Sequence, residues 1–144
     1  MPSLSRRGIL GAGGALLTTT LVKGAFGQST PAIPHEPFSF LFITDTHLQP
    51  ELDAMKGCQM AFRAASKEQA DFVLQGGDHV YDAMEVSLPR AHKLLDLYEM
   101  TEQELGKKVY HTVGNHDCFG VYAKSGASTQ NSEFGKNFFR KAFG

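Results

Sequence analysis

The stretch F-S-F-L-F-I-T-D-T-H, from Phe38 to His47, decides the fold of this chain. It is short, aromatic and branched, and it stops at polar residues, so Phe38 to Thr44 is expected to form a buried strand. Asp45 and His47 then follow one residue apart, and in an extended stretch such side chains lie on the same side and can face one cation. The arrangement recurs twice. F-V-L-Q at Phe72 to Gln75 precedes G-D-H-V-Y-D at Gly77 to Asp82, and the strand-like run Lys108 to Val113 precedes G-N-H-D at Gly114 to Asp117.

Helical spacing fills the intervals. Between Glu51 and Lys67, Met55, Cys58, Phe62 and Ala65 share one face, with Glu51 and Asp53 placed in the first turn, where negative charge suits the helix dipole. A second helix is expected from Pro89 to about Leu105, with Ala91, Leu94, Leu95 and Tyr98 on one face and the proline in its first turn. Phe134, Phe138 and Ala142 mark a last short helical segment. The order β-α-β-α-β, with connections long enough for crossover helices, predicts an α/β fold with parallel strands. Ligands of such sheets bind beyond the carboxyl ends of the strands. All three polar segments fall there.

The side chains in those segments suit metal ions. Asp78 has two carboxylate oxygens, enough to bridge two cations, while Asn115 offers a carbonyl oxygen and His116 an imidazole. Mixed carboxylate, amide and imidazole donors favour Mn, Fe or Zn over Mg. Two such ions, about 3.5 to 4 Å apart, clamp a phosphate, lower the pKa of a bound water and neutralise the attacking and leaving oxygens.

D-x-H, then G-D, then G-N-H-D, each after a predicted strand and in this order, resembles the N-terminal half of the calcineurin-like metallophosphoesterase family, a four-layer α-β-β-α sandwich. The resemblance covers nearly all of residues 38 to 123 and implies a binuclear hydrolase of phosphomonoesters or phosphodiesters. By resemblance, Asp45 and His47 bind the first metal, Asp78 bridges and Asn115 binds the second. The same resemblance makes His116 the group that contacts the phosphoryl oxygen and assists the leaving oxygen, with Asp117 orienting it. The family normally supplies further histidines downstream, ending in G-H-x-H, and this sequence has no histidine after His116. The expectation is therefore a truncated N-terminal part, residues 38–144, of a longer domain. A non-catalytic remnant is the alternative.

The remaining features bound the setting. Arg6-Arg7 followed by the charge-free, mildly apolar stretch Gly8 to Val22 and by Ala25-Phe26-Gly27 resembles a twin-arginine export signal over residues 1–27, with a linker over 28–37. A membrane-spanning helix needs about 20 predominantly apolar residues, and this stretch is shorter and interrupted by glycines and threonines. Export through the twin-arginine machinery to the periplasm or outside a bacterial cell is expected. Removing residues 1–27 takes away Arg6, Arg7 and Lys23 and moves the formal charge from −1 to −4, so no basic stripe for a nucleic-acid backbone is evident. Oligomeric state is not legible.

Cys58 is expected in a helix core and Cys118 in a loop, unpaired with each other. A dinucleotide-binding reading fails for want of G-x-G-x-x-G after the first strand. His79 is expected on a solvent-facing loop, Asp82 fixing its loop by hydrogen bonds, and His111 in core packing.

Overall fold

The structure is a computed structural model, and the residues it describes are 36–144. The expected export signal and nearly all of the linker lie outside them. Strand β1 (Phe40–Ile43) is followed by helix α1 (Ala54–Ala65), β2 (Phe72–Gln75), α2 (Leu88–Glu102), β3 (Val109–His111) and α3 (Lys136–Phe143). Single 3-10 turns lie at Gln103–Leu105 and Ala123–Ser125. The three strands form one parallel sheet in the order β1-β2-β3. This is the α/β architecture with parallel strands that the β-α-β-α-β order predicts. Among the described residues, no helix is long and apolar enough to cross a membrane.

Strand alternation divides the sheet into two unlike faces. Leu41, Ile43, Val73, Gln75, Val109 and His111 form one, and there Val73 and Gln75 are fully buried. Phe62 of α1 and Ala91, Leu94, Leu95 and Tyr98 of α2 belong to the same buried cluster, and the Phe62 and Tyr98 rings meet edge to face at 6.4 Å. Truncating a core side chain such as Phe62 to Ala costs about 3–5 kcal/mol by lost transfer energy and the cavity left behind. The other face carries Phe40, Phe42 and Tyr110, all exposed, and Phe72. Phe40 stacks on Phe72 at 5.6 Å, and Tyr110 meets Phe72 edge-on. The expectation that Phe38 to Thr44 is a buried strand is therefore corrected. Its aromatic residues lie on the open face, and only Leu41 and Ile43 turn inward.

The first helix also starts later than expected. Leu52 and Asp53 adopt left-handed backbone at φ 58° and 54°, which closes the chain into a turn before Ala54. Glu51 and Asp53 thus precede the first helical turn. Glu51 instead takes the Arg90 guanidinium at 2.7 and 2.8 Å, tying the turn to α2. Small side chains on α1 at Gly57 and Ala61 leave a hollow of about 540 Å³ beside Thr44 and Thr46. Cys58 is half-buried against the core, Cys118 is a buried loop residue, and both are free thiols.

Candidate metal centre

Beyond their strands, the first and second polar segments keep running side by side. Asp45 N–H donates to Gly77 O at 3.1 Å, His47 N–H to Asp78 O at 3.0 Å and Leu48 N–H to His79 O at 3.0 Å. Leu48 and Val80, both buried, make an isolated parallel bridge that ends this zipper. Asp45, His47 and Asp78 all take left-handed backbone, at φ 55°, 42° and 54°. Non-glycine residues rarely do so, and such strain concentrates at functional sites.

The third segment abuts the second with no space between backbones. A Cβ on Gly114 would lie 2.1 Å from Asp78 Oδ1 and 2.2 Å from Asp78 N, and one on Gly77 would lie 2.7 Å from Gly114 N. Each G in G-D and G-N-H is required by that approach. It lets His116 N–H donate to Asp78 Oδ1 at 2.9 Å, which orients the carboxylate.

The result is a convergence of donors. Asp45 Oδ1 lies 3.6 Å and Asp78 Oδ2 3.8 Å from His47 Nε2. These separations exceed a good hydrogen bond. They approach those of atoms sharing a cation, since ligands about 2.1 Å from one ion stand about 3.0 to 3.5 Å apart. Asp45 Oδ2 accepts from the Thr44 hydroxyl at 2.7 Å, leaving Oδ1 free. His47 Nδ1 is buried and has no hydrogen-bond partner among the described residues. The donor set of two carboxylates and an imidazole therefore fits a divalent cation.

His116 joins the same group. One ligand atom each of His47, Asp78 and His116 lie within 4.8 Å of one another, and the His47 and His116 rings meet edge to face at 4.5 Å. Its Nδ1 faces the carbonyl of Tyr81, which can only accept, so that nitrogen carries a proton and Nε2 is turned to other work. Asn115 is exposed and lines, with His116, a cavity of about 220 Å³ that also includes Tyr81, Asp82, Glu85 and Tyr122. Burial, and then the hydrogen bond and charge of Glu85, raise the Asp82 carboxyl to about 6.

Asp117 is not where the sequence reading put it. It does not orient His116. Buried at 3% exposure, its carboxylate accepts from the backbone N–H groups of Asp78, His79 and Gly114, each at 2.9 Å, and from His79 Nδ1 at 2.9 Å. The turn carrying G-N-H-D points His116 out and Asp117 back under the loops. Burial raises the Asp117 carboxyl, but the His79 hydrogen bond and charge and the backbone donors outweigh it and hold the group below its ordinary value.

His79 is likewise corrected. Expected on a solvent-facing loop, it is fully buried, its ring held between the Asp117 carboxylate and His111 and packed against Tyr98 and Phe143. Its Nε2 meets His111 Nδ1 at 3.0 Å, and His111 Nε2 lies 3.5 Å from Glu102 Oε1. Burial, and then the neighbouring His79, press the His111 imidazole down to about 4, whereas burial raises the Glu102 carboxyl. Sequence reasoning missed this buried polar chain. The one signal was the alternation of His111 with Val109 and Val113, which placed it inside the sheet.

A family model for calcineurin-like phosphoesterases matches residues 38–143, and the chain belongs to that family. Its members are metal-dependent and act on phosphate esters. No curated protein matches the chain. Among solved structures, a dimetal phosphatase from Danio rerio is similar over 56% of this chain, at 20% identity and a TM-score of 0.46. The match spans 30% of that structure's own chain.

Proposed function

We propose that this protein is an exported hydrolase of phosphate mono- or diesters that works with two divalent cations, Mn, Fe or Zn, held by Asp45, His47, Asp78 and Asn115. The observation that carries the reading is the convergence of Asp45 Oδ1 and Asp78 Oδ2 on His47 Nε2, at 3.6 and 3.8 Å, beyond the carboxyl edge of a parallel sheet. Membership of the family supports the substrate class. The Arg6-Arg7 pair ahead of a weakly apolar stretch supports export through the twin-arginine route.

The bound cations would supply Lewis acidity and a water of lowered pKa. The chain's own residues do the rest. The His116 N–H fixes Asp78 so that Oδ2 faces His47, and the Thr44 hydroxyl fixes Asp45. His116, with its Nδ1 proton held on the Tyr81 carbonyl, keeps Nε2 for the departing oxygen, to which it donates when protonated. The cavity past Asn115 and His116 has room for the leaving group. A second reading makes His116 Nε2 a ligand, which its closeness to His47 and Asp78 favours.

One experiment addresses both. The chain is reconstituted with Mn²⁺, and metal content and turnover are measured on esters with acidic and with basic leaving groups. Asp78→Asn is expected to lose metal and activity, because an amide lacks the bridging charge. Full metal content in that variant would overturn the bridge. His116→Ala is expected to keep its metal and lose most turnover on basic leaving groups. Loss of metal would make His116 a ligand instead.

A further inference from the structure

We propose that His79 is a positioning residue of the metal centre, which acts through Asp117 to hold the two ligand-bearing loops in register without touching the cations. The inference rests on the metal-centre reading above.

Asp117 Oδ2 receives three donors, the N–H groups of Asp78 and Gly114 and Nδ1 of His79, all at 2.9 Å. The first two come from different loops, one carrying Asp78 and the other Asn115 and His116. This single oxygen therefore fastens the second loop to the third. Its partner Oδ1 takes the N–H of His79 at 2.9 Å and of Val80 at 3.4 Å. A buried carboxylate is kept in place by such charge-assisted bonds, and losing one leaves part of its desolvation cost uncompensated.

His79 is itself fixed on every side. Opposite Asp117, its Nε2 meets His111 Nδ1 at 3.0 Å, while Phe143 of α3 stacks over it at 5.1 Å and Tyr98 of α2 meets it edge-on at 4.7 Å. The proton order follows from chemistry. Facing an ionised acceptor, Nδ1 carries the hydrogen, so in the neutral ring Nε2 accepts from His111 Nδ1. His111 Nε2 then faces Glu102 Oε1 across 3.5 Å. Both Nδ1 donors point one way, from His111 toward Asp117, and the rigid ring of His79 is the last link. Groups that orient metal ligands from behind commonly alter metal affinity 10- to 100-fold when replaced.

Two near-isosteres separate the contacts of this ring. An asparagine amide nitrogen falls near the position of Nδ1, whereas a glutamine amide nitrogen falls near that of Nε2. His79→Asn therefore keeps a donor for Asp117 and loses His111, and His79→Gln does the reverse. If His79 only filled space, the larger glutamine would be the better substitute.

The test measures Mn²⁺ affinity of the full chain by calorimetry and, in EDTA, amide hydrogen exchange at Asp78, Gly114 and Leu94. His79→Asn should bind Mn²⁺ within about threefold of the wild type, and His79→Gln at least about tenfold more weakly. Exchange at Asp78 and Gly114 should quicken in His79→Gln alone, with Leu94 in α2 unchanged in both. Equal affinities, or weaker binding by His79→Asn than by His79→Gln, would overturn the proposal. Should His79→Gln not fold, His79→Asn decides by itself, since lost Mn²⁺ affinity with the Nδ1 donor mimicked overturns it. A wild type with no Mn²⁺ affinity would sink the metal-centre reading, and the exchange pattern measured without metal would then decide whether His79 fastens the loops.

Discussion

At the scale of single residues, His111 reports most directly on how the buried polar chain is stabilised. Its imidazole titrates near 4 in the folded protein because burial and His79 disfavour the charge, against about 6.5 in an unfolded chain. Between those values the unfolded state binds more protons, so stability rises with pH across that window and falls as acid is added. His111→Asn retains a donor toward His79 and removes the titration. Urea unfolding in EDTA at pH 7, 5.5 and 4.5 should show the wild type losing stability more steeply than the variant over this range. Parallel losses would mean that His111 is not held neutral by the fold.

At the scale of elements, the loops are legible where chemistry depends on sequence-local order, and illegible where it depends on what lies beneath. Asp45 and His47 could be read as partners from their i, i+2 spacing, and the structure sets them 3.6 Å apart, though on left-handed backbone at φ 55° and 42° rather than in an extended stretch. Asp117 could not be read correctly, since adjacency to His116 suggested a contact that the turn forbids. Apart from Gly114, its actual partners, Asp78, His79 and Val80, lie 37 to 39 positions earlier. The strands were legible by composition, yet the open side of β1 was not, because aromatic residues look the same in sequence whether covered or bare. Gly114 shows what the loops demand of each other. Gly114→Ala would drive a methyl group to 2.1 Å from Asp78 Oδ1, so both thermal stability and Mn²⁺ affinity should fall. Gly57→Ala is the control. Its Cβ meets nothing within 4 Å, and mid-helix in α1 it should stabilise by about 0.5–1 kcal/mol. Equal behaviour of the two variants in calorimetry would contradict the close loop approach.

For the whole molecule, the two faces of the sheet set unequal demands. One is closed by α1 and α2, and the other presents Phe40, Phe42 and Tyr110 at 47%, 64% and 46% exposure, with Phe38 beside them at 68%. An aromatic side chain offers about 150–250 Å², so four of them roughly half exposed make a patch on the order of 400 Å², in the range where exposed apolar surface on a monomer is often functional or prone to association. The folded protein should therefore bind an apolar fluorescent dye and scatter light increasingly with concentration. Phe40→Ser combined with Phe42→Ser should reduce both effects. The cost to the melting temperature should be small, because these side chains already face water and their removal opens no cavity. Phe62→Ser, in the α1 helix that closes the other face, should act oppositely, lowering the melting temperature strongly and raising dye binding. If the Phe40/Phe42 variant melted as early as the Phe62 variant, the aromatic face would be covered in solution, and the division of the sheet into a closed and an open side would be wrong.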